Sequence, residues 1–350
     1  MTDWKDAILS LDSTIHDAIQ NLNDTGSRIV LVTDSELKFV GVVVDGDIRR
    51  GLLQGITLID KVSKIVNYDA RVVSPGVSRS DALKLMEAWK VSHLPVVDNA
   101  GELCGLHSRL DTSLNLSREN LFVIMAGGFG RRMGMETKET PKPMLEVAGK
   151  PMLEHLIIRA KKSGFFNFAI SIHYRGEVIE GYFGDGSRFG VRITYLREER
   201  PLGTAGSLSL IVPFPSEPIV VSNADLVSSV DFGSLLDFHV SQGSDVTMAV
   251  RDYEWQNPFG VVEISGGSVV AIEEKPILVS TISVGMYVLD PSALQEIELD
   301  VQCDMPQLLE QLIRVKKRIV PFPVHESWAD IAVIEDLALI NASHQIGEGL

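Results

Sequence analysis

Leu121-Phe-Val-Ile-Met-Ala-Gly-Gly-Phe-Gly-Arg-Arg-Met-Gly134 is the stretch on which the fold turns. Its first five residues are apolar and read as a buried β-strand. The glycines that follow read as a turn whose backbone N–H groups can approach an anion, phosphate above all. Spacing excludes two common phosphate loops. A dinucleotide fingerprint needs a third glycine where Met133 stands, and a P-loop needs a Gly-Lys-Ser/Thr that this stretch lacks.

Outward from this stretch the chain keeps an alternating texture. Pro141-Lys-Pro-Met-Leu145 follows, and then a helix is expected from Pro151 to Ser163. Met152, Leu153, Leu156, Ile157 and Ala160 would share one face of it, and Pro151 suits a first helical position. Ala169–Ile172, Arg192–Leu196 and Ile219–Ser222 read as further strands. Helices between strands imply parallel connections and an α/β sheet.

Taken together, Ala126-Gly-Gly-x-Gly-x-Arg-Met and Pro141-Lys-Pro-Met-Leu closely resemble the signature of sugar-1-phosphate nucleotidyltransferases. That family includes mannose-1-phosphate guanylyltransferases and glucose-1-phosphate thymidylyltransferases. The likeness continues in order through Pro201-Leu-Gly-Thr-Ala-Gly, Ser222-Asn-Ala-Asp225, Asn257-Pro-Phe-Gly-Val-Val-Glu, Ile272-Glu-Glu-Lys-Pro, Asp304-Met-Pro and Trp328-Ala-Asp-Ile. It implies an α/β, Rossmann-like domain with a mixed, mainly parallel sheet over residues 117–350. The implied reaction is attack by a sugar 1-phosphate on the α-phosphorus of a nucleoside triphosphate, with release of pyrophosphate. Such chemistry asks for positioning and charge neutralisation more than for acid–base groups.

The resemblance assigns roles residue by residue. Arg132 would grip the β- and γ-phosphates through its guanidinium fork, and Lys142 would neutralise charge near the α-phosphorus. Ala126, Gly127, Gly128, Gly130, Glu198, Gly203 and Thr204 would surround the nucleotide. Gly260, Glu274 and Lys275 would hold the sugar phosphate. Asp225 and Asp330 would hold Mg²⁺, a hard ion that suits carboxylate oxygens. Two positions depart from the family pattern: Ser283-Val-Gly285 replaces Asn-Ala-Gly, and Asp330-Ile-Ala332 replaces Asp-Ile-Gly.

Glu198 bears on the choice of base. Relatives that use UTP or dTTP place Gln there, which can both give and take a hydrogen bond. A carboxylate only accepts, and guanine offers two adjacent donors, N1–H and N2–H₂. GTP is therefore the expected nucleotide, with a hexose 1-phosphate of mannose or glucosamine type as acceptor. UTP or dTTP remains an alternative, as does a nucleotide sensor whose transferase domain has lost activity.

The first third of the chain contains a repeat. Residues 14–51 align without gaps with 78–115. Asp17-Ala18 matches Asp81-Ala82, Asp34 matches Asp98, Gly41 matches Gly105 and Asp47 matches Asp111. Each unit reads as helix, Val-rich strand, turn, second strand and helix. The arrangement resembles a tandem pair of cystathionine-β-synthase (CBS) domains, a small α+β module over residues 1–116. The likeness implies that Asp47 and Asp111 hold the ribose of a regulatory nucleotide, and that the chain forms a homodimer. Helix capping is the simpler role for both aspartates.

Composition sets outer bounds. A net charge of −15 argues against nucleic acid as a partner. No run of eighteen apolar residues suggests a membrane span. The opening Met1-Thr-Asp-Trp-Lys-Asp lacks the layout of a secretion signal, and two cysteines, Cys104 and Cys303, make no disulfide framework. A cytoplasmic protein is expected.

Overall fold

The computed structural model describes residues 4–109, 117–128 and 140–330. The chain divides into two units, Met1–Leu116 and Ser117–Leu350.

In the first unit the elements run β1 (Ile8–Ser10), α1 (Ile15–Thr25), β2 (Val30–Thr33), β3 (Phe39–Val43), α2 (Asp45–Leu53), α3 (Arg79–Trp89), β4 (His93–Val97) and β5 (Leu103–Ser108). Strands β1 and β2 are parallel, while β2 pairs antiparallel with β3 and β4 with β5. The sequence repeat is visible atom by atom. Thr14 caps α1 by accepting the Asp17 N–H at 3.1 Å, and Ser78 caps α3 by accepting the Asp81 N–H at 3.1 Å. Asp34 Oδ1 accepts the N–H groups of Glu36 and Lys38, and Asp98 Oδ1 accepts those of Ala100 and Glu102. These two aspartates build the turn between paired strands, an Asx-type use of a short carboxylate.

The second unit is organised by a seven-stranded sheet. It begins with β6 (Arg118–Met125), followed by a short hairpin, β7 (Glu146–Val147) and β8 (Lys150–Pro151), and by α4 (Met152–Lys162). Then come β9 (Phe165–Ile172), α5 (Gly176–Phe183), β10 (Arg192–Arg197), the one-turn α6 (Gly203–Gly206), β11 (Ile219–Asn223), β12 (Leu226–Ser228) and α7 (Phe232–Gln242). The rest is β13 (Val246–Gln256), β14 (Gly260–Ser265), β15 (Ser268–Glu274), β16 (Ile277–Leu289), α8 (Pro291–Leu294), α9 (Met305–Arg314), β17 (Ile319–Pro323) and β18 (Trp328–Asp330). The sheet order is β10-β9-β6-β11-β16-β13-β17. All pairs are parallel except the two that involve β16. The fold is the mixed, mainly parallel α/β arrangement expected from the sequence.

Alternation along β6 explains why the sheet is covered on both faces. Phe122 and Ile124 point into one core with Leu153, Leu156 and Ile157 of α4 and Leu235 of α7. Val123 points into the other, with Leu308, Leu309 and Leu312 of α9. A strand buried on both sides is apolar throughout, which is why residues 121–125 show no polar alternation. Phe122 packs edge-on against Phe165 and Phe232, at centroid distances of 5.3 and 4.8 Å. Among the described residues no helix is long and apolar enough to cross a membrane.

A buried polar knot joins α7 to β13. His239 Nδ1 lies 3.0 Å from Thr247 Oγ1 and 3.2 Å from Ser244 Oγ. Burial holds the His239 pKa below its ordinary value, against the opposing pull of Asp290 and Asp245. The folded protein thus keeps His239 neutral where the unfolded chain protonates it, so the unfolded state binds more protons as pH falls. This contribution is complete above about pH 6.5 and is lost below it, toward the lowered folded value. His239→Gln is expected to flatten the fall in Tm between about pH 7 and 5. Thermal melts of both proteins across that range check this, and parallel curves would reject it.

Candidate active site

The parallel strands β6, β9, β10 and β11 end at one edge of the sheet, the edge where ligands gather in open α/β sheets. Ala126, Gly127 and Gly128 leave the end of β6, and Ala126 N–H donates to Ser171 O at 3.0 Å. Neither Gly127 nor Gly128 has a positive φ, and at Gly127 the need for glycine is steric. A Cβ on Gly127 would come within 2.7 Å of Glu198 Oε1. Among the described residues, none comes within 4 Å of a Cβ built on Gly128.

Lys142 and Asp225 are 83 residues apart in sequence, yet Lys142 Nζ donates to Asp225 Oδ2 at 2.5 Å. Pro141 and Pro143 stiffen the single 3₁₀ turn that carries the lysine, which is only 8% exposed. Asp225 lies just beyond β11, where Ala224 N–H donates to Met125 O at 3.2 Å and ties the end of β11 to β6. Leu226 pairs with Asp330 across the antiparallel β12–β18 ladder. Positions 225 and 330 are therefore neighbours through the backbone. A carboxylate at Asp225 is the kind of oxygen donor that a hard divalent cation takes.

Gly285 supports this edge from β16. It has φ +76°, and a Cβ there would lie 2.6 Å from Asn223 Nδ2. The glycine is retained although the residues before it, Ser283 and Val284, depart from the family pattern. Val284 O accepts the indole N–H of Trp328 at 3.1 Å.

Glu198 follows β10 and is held at both oxygens. Ser171 Oγ donates to Oε1, and Leu202 N–H donates to Oε2 at 2.8 Å. Each carboxylate oxygen has two lone pairs, so capacity to accept remains. Gly203 comes next, with φ +78° and a would-be Cβ only 2.6 Å from Cys303 O. Asp304 Oδ1 accepts the Thr204 N–H at 3.0 Å, and Thr204 Oγ1 accepts the Met305 N–H at 2.8 Å. The Gly-Thr-Ala-Gly string is thereby fastened to the start of α9. Thr204, expected at the nucleotide, turns its hydroxyl to α9, accepting from Met305 N–H and donating to Asp304 Oδ1 at 3.4 Å.

Gly260 and Glu274 stand opposite each other in the β14–β15 hairpin, and a Cβ on Gly260 would lie 2.9 Å from Glu274 Oε2. Lys275 follows with φ +49°, an uncommon conformation for a non-glycine residue. Its carbonyl accepts from Gln256 Nε2 at 3.2 Å. All three are exposed.

In the first unit, Asp47 Oδ2 accepts the Val44 N–H at 2.9 Å, and its other oxygen pairs with Arg50 at 2.5 Å. Burial pushes the Asp47 carboxyl up, opposed chiefly by the Val44 bond. The first bond belongs to the capping role, and the second is an ion pair within α2. Arg132, Gly130, Asp111 and the side chain of Asp330 lie outside the described residues. The sequence reading missed Ser171, which has no motif around it; only the fold brings it to Glu198.

Residues 121–346 match the nucleotidyl transferase family, and residues 4–54 and 62–109 match the CBS domain. The chain is similar to mannose-1-phosphate guanylyltransferase 1 of Arabidopsis thaliana, 36% identical over 186 residues that make up 51% of this chain and 52% of the relative. It is also similar to a mannose-1-phosphate guanylyltransferase of Mycobacterium tuberculosis, 36% identical over 179 residues, half of each chain. The chain spans about half the length of these curated relatives. Among solved structures it is similar in fold to HddC from Yersinia pseudotuberculosis, with a TM-score of 0.52, 22% identity, and coverage of 64% of this chain and 99% of that one.

Proposed function

The chain belongs to the nucleotidyl transferase family, and from that premise we propose that it transfers GMP from GTP to a hexose 1-phosphate, releasing pyrophosphate. The acceptor is of mannose or glucosamine type. The observation that carries this reading is the Lys142–Asp225 pair at the sheet edge, beside the glycine turn that ends β6. A cation and a carboxylate held together at this edge support a site where two polyanions and a divalent cation meet.

In this reading the Gly127 and Gly128 backbone faces the nucleotide phosphates, with Gly130 beyond them. Arg132 grips the β- and γ-phosphates, and Lys142 neutralises charge at the α-phosphorus as it develops. Asp225 and Asp330 hold Mg²⁺, which supplies further neutralisation of the phosphate oxygens when bound. Gly260, Glu274 and Lys275 hold the sugar 1-phosphate in line for attack. Glu198 supports the choice of guanine, because it presents only acceptors. The CBS pair is a regulatory module for an adenine or guanine nucleotide.

The test is pyrophosphate release by the full chain with Mg²⁺, each of GTP, UTP and dTTP, and a panel of sugar 1-phosphates. GTP with mannose or glucosamine 1-phosphate is expected to turn over fastest. A preference for UTP or dTTP would refute guanylyl transfer. No release with any pair would favour the sensor reading.

A further inference from the structure

Glu198 Oε1 lies against Gly127, and a free carboxylate there would rotate. Here it does not stand free. Ser171, at the end of β9, is fully buried, and its hydroxyl donates to Glu198 Oε1. The Ser171 carbonyl accepts the Ala126 N–H at 3.0 Å, so the same residue also holds the start of the glycine turn. Leu202 N–H fixes Oε2 at 2.8 Å. The Gly127 backbone closes the third side, since any Cβ there would strike Oε1. The carboxylate plane is thus set by two donors and a wall.

We propose that Ser171 is a positioning residue for base selection: its hydroxyl holds Glu198 so that both carboxylate oxygens face the N1–H and N2–H₂ of guanine together. The proposal rests on the guanylyl reading above. A two-point contact with a planar base edge demands that both oxygens be placed, whereas a one-point contact tolerates rotation. Inosine triphosphate lacks the 2-amino group and offers only N1–H. The loss of the Ser171 hydroxyl must therefore harm GTP more than ITP.

The experiment measures kcat/KM for GTP and ITP on wild type, Ser171→Ala, Glu198→Gln and the double variant, with Tm as a check on folding. Ser171→Ala is expected to lower GTP efficiency about tenfold and to narrow the GTP-to-ITP preference. In the Glu198→Gln background the same substitution is expected to change that preference little, because Ser171 acts through Glu198. An unchanged preference in Ser171→Ala, or an equal narrowing in both backgrounds, would overturn the proposal. If wild type itself prefers UTP or dTTP to GTP, the guanylyl reading fails instead, and the two failures are told apart by the unmutated protein. If Ser171→Ala is too unstable to assay, Ser171→Cys keeps a weak donor and is expected to fall between the two; a Cys variant with full wild-type preference would also count against the proposal.

Discussion

Asp225→Asn is expected to lower turnover by about 10²- to 10⁴-fold, the scale of charge stabilisation that a bound metal supplies to a phosphoryl transition state. The substitution keeps the shape of the side chain and removes its charge. Asn can still accept from Lys142 through its amide oxygen, so the contact at the end of β11 survives in weaker form. The stability cost is accordingly about 1–3 kcal/mol, less than for stripping a buried lysine of any partner. The decisive measurement is activity against Mg²⁺ concentration. If Asp225 ligates the metal, half-maximal activity of the variant requires far more Mg²⁺. If Asp225 serves only to anchor Lys142, turnover falls with no shift in the Mg²⁺ requirement. Near-wild-type turnover at limiting Mg²⁺ would remove Asp225 from the site altogether.

Glu198→Gln is expected to reduce kcat/KM for GTP by about 10- to 100-fold, the worth of a charged hydrogen bond replaced by two facing donors. The structure narrows how the glutamine can sit. Leu202 N–H donates to Oε2, so the amide oxygen is held on that side. The amide NH₂ then takes the place of Oε1, where the Ser171 hydroxyl can rotate to accept from it. A donor is left facing the base, and flipping the amide would set NH₂ against the Leu202 N–H. Efficiency with UTP or dTTP is expected to fall little or to rise. A parallel loss for all three nucleotides would mean that Glu198 braces the turn before α6 and does not read the base.

Much of this protein was legible in its residues because the deciding interactions are local. The apolar run Leu121–Met125 forms a doubly covered strand, and the one-face pattern of Met152, Leu153, Leu156, Ile157 and Ala160 forms α4. The repeat in the first third returned as matched caps at Thr14 and Ser78 and matched turns at Asp34 and Asp98. A cap or an Asx turn closes within four residues, so side-chain chemistry and spacing determine it before any tertiary contact exists. Asp47 belongs to this class, since its cap bond reaches only to Val44.

The pairings that make the site are of another kind. Lys142 with Asp225, Ser171 with Glu198, and Thr204 with Asp304 each join segments that no local pattern relates. Gly203 and Gly285 read in sequence as parts of motifs, yet beside their positive φ it is Cys303 and Asn223, which reach them only in the folded chain, that leave no space for a side chain. Such contacts depend on strand order and register, here β9-β6-β11-β16, and on the single antiparallel strand that lays Gly285 against the end of β11. Apolar patterning placed β6, β9, β10, β11 and α4; the tertiary structure decided which of those ends meet, because a strand's side-chain pattern specifies the face it buries but not the neighbour it pairs with.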